Sequence, residues 1–424
     1  MCWKRGVLLS AVLLAAFTIL SYSTAQTPSA SLTTLYSFSG VNGDGAGPYA
    51  GVVYSGNGAL YGTTAWGGVY DAGTVYELTP PSSGGAWTGT VLHSFGGGSD
   101  GTYPYAGVLA GANGVLYGTT NYGGAYGMGV VYELSPPPGG ESAPGAWTET
   151  VLHDFNGSDG AYPYAGLALG ASGALYGTTE FGGSSGYGTV FELTPPASGG
   201  AWTETVLYNY AGGADGCCPY DVPVIGANGA LFGTTVAGGS SGKGVVFKLS
   251  RPGTKGGAWN ETVLHNFNGT DGGFPYAGVV IGSNGAIYGT TAGSVNAGNG
   301  SAYELNPPAG GGKTWTETVL HKFSGKGDGG APHAVPVPGP NGTLYGTTFG
   351  GGNGKRFNGS GLIYQLLPPS GSGAWTEKVL YVFQGGNDGA SPNAPLVSGP
   401  SGTFYGTTLG GGPFGQGTVY AFTP

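Results

Sequence analysis

The side chains with most chemical capacity in this sequence are few, and they are unevenly placed. Cys217-Cys218 is the sharpest case, two adjacent thiols in DGCCPYDVP where other stretches of the chain read DGxxPYAGV. A disulfide between neighbours closes a small strained ring, and strained disulfides are the labile or functional ones. Free thiols or an intermolecular bridge are the other outcomes. Asp71, Glu180 and Asp221 are carboxylates in or near variable, Gly-rich stretches. Two carboxylates facing one cleft at about 5–10 Å are what glycoside hydrolysis needs, so these three are the candidates for a catalytic pair. Aromatic rings gather in the same stretches: Trp66, Tyr70, Tyr122, Tyr126, Phe181, Tyr187 and Phe349, with Phe357 and Phe414. Rings beside glycines and small polar residues suit stacking on sugar faces; roofing the core is their other use. No His-Glu-x-x-His helix or Walker loop is present.

The elements that hold these residues are set by a repeat. A Tyr or Phe before Gly-Thr-Thr occurs at Tyr61, Tyr117, Tyr176, Phe232, Tyr288, Tyr345 and Tyr405, at intervals of 56 to 60 residues. Each unit reads as four strands. A small apolar run (PYAGLALG) meets a tight turn carrying Asn-Gly in several copies, and ALYGTT follows. A variable Gly-rich loop leads to GTVFEL. A Pro-Pro loop then precedes WTETVLYNY, whose alternation is that of a half-exposed strand. Four antiparallel strands per unit of this length is the period of a propeller blade.

The start of the repeat region supports closure. Residues 32–38 match the fourth strand, whereas the last unit stops at its third, Thr418–Thr423. The N-terminal strand can therefore complete the last blade, which removes two sheet edges. The expected fold is an all-β, seven-bladed β-propeller of four-stranded antiparallel blades. Residues 26–424 form its single domain after a signal peptide at 1–25. An open solenoid or two smaller propellers are the alternatives. PYAGVV should line the channel and the WTETVL copies the outside. The loops after Gly-Thr-Thr should share one rim with the Asp-Gly loops between blades, where loops on a rigid frame carry function.

The repeated [LIF]-[YF]-G-T-T, the GTVYEL segment and the W-T-E-T-V-L segment together resemble the Gloeo/Verruco (GloVer) tandem repeat of exported bacterial proteins. That resemblance spans Leu32 to Pro424. It implies export and a repeat architecture, and it supplies no catalytic residues. No C-terminal surface anchor is expected, because the last repeat runs to Pro424.

Recurrence separates frame from function. Asp44, Asp100, Asp159, Asp215, Asp271, Asp328 and Asp388 each precede a glycine at one repeat position. Turn formation is the ordinary use of such a carboxylate; a Ca²⁺-binding ring is the sharper one, although no five-residue acidic calcium loop is present. His93, His153, His265 and His321 share an outer-strand position with Tyr36, Tyr208 and Tyr381, an interchange that signals packing. Trp87, Trp147, Trp202, Trp259, Trp315 and Trp375 recur in the same way, as blade-to-blade packing. Lys355-Arg356 reads as a solvated pair.

Lys4 and Arg5, the apolar run Val7–Leu20 and Ser23-Thr24-Ala25 read as a cleavable secretory leader. Without that leader the 12 bases fall to 10 against 21 carboxylates, a net charge of −11. From Gln26 to Gly242 there are 14 carboxylates and no Lys or Arg; from Lys243 onward there are 7 and 10. Nucleic acid is excluded as a partner on electrostatic grounds, and the mature chain has no membrane span. The expectation is a monomeric secreted or periplasmic propeller, without cofactor or metal unless the aspartates hold calcium. It would bind a neutral polysaccharide or a partner protein and perform no catalysis. A glycosidase or lyase using the off-repeat carboxylates, or a purely structural envelope protein, are the alternatives.

Overall fold

The computed structural model describes residues 30–141, 145–254, 256–293, 299–312, 314–352, 359–371 and 373–424. The leader, Lys355, Arg356 and Phe357 lie outside them. Among the described residues no helix is long and apolar enough to cross a membrane.

Seven antiparallel sheets of four strands form the ring. Their second strands are Leu60–Thr64, Leu116–Thr120, Leu175–Thr179, Leu231–Ala237, Ile287–Thr291, Leu344–Thr348 and Phe404–Thr408, which define blades 1 to 7. In blade 1 the order from the axis outward is Val53–Tyr54, Leu60–Thr64, Thr74–Thr79 and Thr88–Ser94. Blade 7 is closed as the sequence implies. Ser31–Ser37 pairs antiparallel with Thr418–Thr423 and becomes the outer strand of the last sheet.

Each blade's burial follows its sequence. The second strand of blade 1, LYGTT, is buried at every position, and the third, TVYELT, at all but two. The outer strand alternates between exposed and half-buried residues. The glycine of Gly-Thr-Thr is required by the third strand. Tyr76 lies over Gly62, and a β-carbon there would stand 2.4 Å from its hydroxyl; the corresponding clearance at Gly118 under Tyr132 is 2.3 Å.

Two devices join the blades all the way round. The aromatic ending each outer strand meets the third-strand aromatic of the next blade: Phe95–Tyr132, Phe155–Phe191, Tyr210–Phe247, Phe267–Tyr303, Phe323–Tyr364, Phe383–Tyr420 and, across the closure, Phe38–Tyr76, at 4.9 to 5.6 Å. Burying each of these anchors contributes about 1.5–3 kcal/mol. The second device is the first threonine of Gly-Thr-Thr. Its hydroxyl donates to an inner-strand carbonyl of the following blade, from Thr63 to Ala106 at 2.8 Å through to Thr407 to Ala50 at 2.9 Å. Thr119, Thr178, Thr234, Thr290 and Thr347 do the same.

Candidate functional site

The loops that follow Gly-Thr-Thr meet the interblade Asp-Gly loops on one rim, through short antiparallel bridges. Ala46 faces Trp66, Thr102 faces Tyr122, Ala161 faces Phe181 and Cys217 faces Ala237. The second threonine fixes the first three of these loops. Thr64, Thr120 and Thr179 donate to the carbonyls of Trp66, Tyr122 and Phe181 at 2.8 to 2.9 Å. Three consecutive blades therefore hold an aromatic side chain at one rigid position. Trp66, Tyr122 and Phe181 remain 38 to 44% exposed there.

Those three rings belong to a continuous arc. Trp66 packs edge-on to Tyr105, and Gly47 makes room for it: a β-carbon at 47 would lie 2.3 Å from the indole. Tyr103 touches both Tyr105 and Tyr122, and Tyr162 bridges Tyr122 to Phe181. Tyr103 and Tyr162 reach these places from left-handed backbone, at φ of 56° and 57°. Tyr70 and Tyr126 stand exposed on the loops of blades 1 and 2, and Tyr187 is half exposed beside Gly212. Phe414 is exposed in blade 7. Phe349 departs from the group, because it stacks on His333 with ring centres 4.9 Å apart.

At the axis lies a cavity of about 540 Å³. At the variable-rim end its wall carries Tyr49, Tyr105, Tyr164, Tyr220, Tyr276, His333 and Asn393, one residue from each blade at the position after the repeated proline. Tyr164 stacks on Tyr105 and Tyr220 at 4.8 and 3.9 Å and meets Tyr49 edge-on at 5.5 Å. Burial, then the neighbouring Tyr49 and Tyr220, push the Tyr164 phenol far above its ordinary pKa. Burial also lowers the pKa of His333. The sequence reading assigned these strands to the channel as small and apolar and passed over the tyrosines. The signal was the Pro-Tyr dipeptide in five copies, with Pro-His and Pro-Asn in the last two.

The off-repeat carboxylates divide. Asp71, at φ 56°, is exposed on blade 1 and accepts the Gly67 amide at 2.9 Å. Glu180 comes to the joint between blades 3 and 4, beside the cysteines, whereas the Asp221 carboxylate reaches across to Gly278 of blade 5. The Glu180 amide donates to the Tyr162 carbonyl. Burial raises the pKa of the Glu180 carboxyl, whose charge is felt by Cys217, Cys218 and Tyr220. Asp221 is bound by backbone: the amides of Val222 and Gly278 donate to its two oxygens. Burial raises its pKa in spite of those two bonds.

Cys217 and Cys218 stand as thiols with sulfurs 2.9 Å apart, and Cys218 sits at φ 62°. Their contact favours the thiolate at Cys217 and the thiol at Cys218.

The seven repeated aspartates sit at seven separate interblade joints. Each accepts an amide from the start of its own turn, such as Gly96 to Asp100 at 3.0 Å and Ala211 to Asp215 at 2.8 Å; Asp44, Asp159, Asp271, Asp328 and Asp388 have the same bond. Each also meets the outer-strand His or Tyr. His93, His153, His265 and His321 lie 3.2 to 3.6 Å from their aspartates, and the Tyr36, Tyr208 and Tyr381 hydroxyls donate at 2.9 to 3.2 Å. Burial outweighs the carboxylate and lowers the pKa of all four histidines. His153, Asp159 and Glu204 bring ligand atoms within 4.8 Å of one another, the one such trio among the described residues. Glu149, Glu204, Glu261, Glu317 and Glu377 are each pushed up to about 7, by burial first and then by the aspartate of the preceding joint.

Comparison with solved structures returns matches at low identity. The chain is 15% identical to a putative 6-phosphogluconolactonase from Bacteroides uniformis, over 79% of this chain and 85% of that one, with a TM-score of 0.49. An ancestral GH74 enzyme is matched at 12% identity and TM-score 0.49, over 89% of this chain and 47% of the enzyme. A Trypanosoma rangeli sialidase in complex with sialic acid is matched at 10% and 0.38, over 94% and 59%. No curated protein matches the chain. The family model of the Gloeobacter/Verrucomicrobia repeat matches residues 18–221, 141–318 and 219–424, and the chain belongs to that repeat family.

Proposed function

We propose that the protein is an exported, non-catalytic binding module, and that its ligand is a neutral polysaccharide laid across blades 1 to 3. One observation carries this reading: the equivalent residues Trp66, Tyr122 and Phe181, on consecutive blades, are partly exposed and joined through Tyr105, Tyr103 and Tyr162 into one aromatic surface. Rings held at fixed spacing stack on successive sugars at little cost in side-chain entropy, because their positions are set before binding. The first half of the chain, from Gln26 to Gly242, contains no Lys or Arg. This suits an uncharged polymer better than an anionic one.

The binding test is retention of the protein on a panel of neutral glycans, followed by calorimetry on the best ligand. Trp66→Ala and Tyr122→Ala should each lower affinity at least tenfold. No retention on any neutral glycan would remove the reading. Export is checked separately, by sequencing the N-terminus of the secreted protein; a mature start at Gln26 is expected.

A hydrolytic role would have to rest on Glu180, since Asp71 and Asp221 are engaged by backbone amides. Release of reducing ends by the parent protein, absent in Glu180→Gln, would favour it.

A further inference from the structure

The axial cavity uses residues distinct from Trp66, Tyr122 and Phe181, and its chemistry is different. We propose that it is a second binding site, for an uncharged, largely apolar molecule carrying one hydroxyl group. The cavity, about 540 Å³, falls in the range of about 300–1,000 Å³ typical of small-molecule sites. Below the tyrosines its wall is alanine, glycine, valine and leucine, ending at Leu109 and Val397.

One inner-strand carbonyl of every blade is already engaged. The inner-strand carbonyls of Ala106, Ala165, Ala277, Ala334 and Ala50 each accept a threonine hydroxyl at 2.8 to 2.9 Å, and those of Asp221 and Ala394 do so at 3.2 Å. Among the described residues Asp221 is the one acidic side chain on the wall, and both its oxygens are held by amides. No Lys or Arg among the described residues lines the cavity. The Tyr164 hydroxyl is engaged with those of Tyr49 and Tyr220. Water is held in a cavity by two to four polar partners, and apolar cavities stay dry and take up apolar molecules.

A polar pair unlike the tyrosine hydroxyls stands where His333 and Asn393 replace tyrosines. The amide nitrogen of Asn393 donates to the Tyr49 carbonyl at 3.2 Å. Its oxygen must therefore accept from Nδ1 of His333, 2.9 Å away. That places the proton on Nδ1 and leaves Nε2 as an acceptor with no protein partner among the described residues. An acceptor beside an apolar wall selects a donor, and a hydroxyl is the neutral group that supplies one.

Titration of the full-length mature protein with N-phenyl-1-naphthylamine tests occupancy by its gain in fluorescence. Decan-1-ol should displace the probe at least tenfold more effectively than decanoate, and more effectively than decyl methyl ether, which cannot donate. In His333→Leu the preference for the alcohol over the ether should vanish while probe binding persists. Leu109→Trp with Val397→Trp fills the far end and should lower probe affinity at least tenfold; circular dichroism shows whether that variant folds. Phe181→Ala, whose ring meets Tyr162 and not the cavity wall, should leave probe binding unchanged and so separates this site from the glycan reading. No fluorescence gain, equal displacement by decanoate, or an alcohol preference that survives in His333→Leu would each overturn the proposal.

Discussion

Blades 1 to 3 and blades 4 to 7 share every threonine clasp and every interblade aromatic pair, yet they differ on the rim. Two residues past the double threonine the first group carries Trp66, Tyr122 and Phe181; the second carries Ala237, Gly293, Gly350 and Gly410. Charge divides in nearly the same place, since every Lys and Arg beyond the leader lies at or after Lys243. Among the described residues the exposed large apolar side chains of this rim are Val41, Phe414 and members of blades 1 to 3. The frame is thus sevenfold, while the surface it presents is one-sided. Selection on the frame acts through contacts that any blade needs, whereas the rim position carries no such constraint and can diverge.

The largest effect that could break this comparison is on binding. Replacing Trp66, Tyr122 and Phe181 together with alanine should abolish glycan retention with little loss of stability, because all three are partly exposed. Equal loss on mutating exposed positions of blades 4 to 6 would erase the distinction. Next come the frame positions, where the two halves should behave alike. Gly118→Ala in blade 2 and Gly289→Ala in blade 5 each push a β-carbon to 2.3 Å from a buried tyrosine hydroxyl. Each should cost about 1–3 kcal/mol in urea unfolding. Thr119→Val and Thr290→Val should cost about 1 kcal/mol or somewhat more apiece, since a buried carbonyl loses its donor. A marked difference between halves would show that the joints are not equivalent.

The smallest expected effect concerns pH. Glu204 is pushed up to about 7 in the folded protein, so the folded state holds its proton more tightly than the unfolded chain does. Its contribution is intact below the unfolded pKa and is lost as pH rises through about 7. Glu204→Gln should therefore match the parent in melting temperature near pH 4 and exceed it by a few degrees at pH 8. A constant difference across that range would sink the assignment. The same substitution at Glu317 in the basic half tests whether Lys322, which lowers that carboxyl's pKa, blunts the effect.

Much of the frame was legible because its period is long, regular and permuted at the ends. The Gly-Thr-Thr motif could be counted in sequence, but the partner of Thr63 lies 43 residues on, in the next blade, and that of Thr407 lies back at Ala50. The outer-strand bulge was hidden as well. Val-Leu-His reads as plain strand, yet Leu152 has no partner between His153 and Val151. Around the circumference the repeated aspartates stand apart, each in its own turn. At the axis one residue per blade converges, so Tyr49, Tyr105, Tyr164, Tyr220 and Tyr276 share one cavity wall. Asp221 stands out in sequence by its rarity, and its oxygens accept the Val222 and Gly278 amides. The exposure of Trp66, Tyr122 and Phe181 could be suspected from their Gly-rich setting, but their union through Tyr103 and Tyr162 depends on left-handed backbone that composition does not announce.

The strand that closes blade 7 also decides how the molecule is presented. Ser31 pairs with Thr423, so the two ends of the ring leave it side by side. Thr423 is the counterpart of Thr79, which leads into the Pro80-Pro81 loop on the rim opposite Trp66. A wall, bead or reporter domain attached at either end would therefore hold the propeller by its back. The aromatic arc would face outward, clear of the attachment and open to a long polymer.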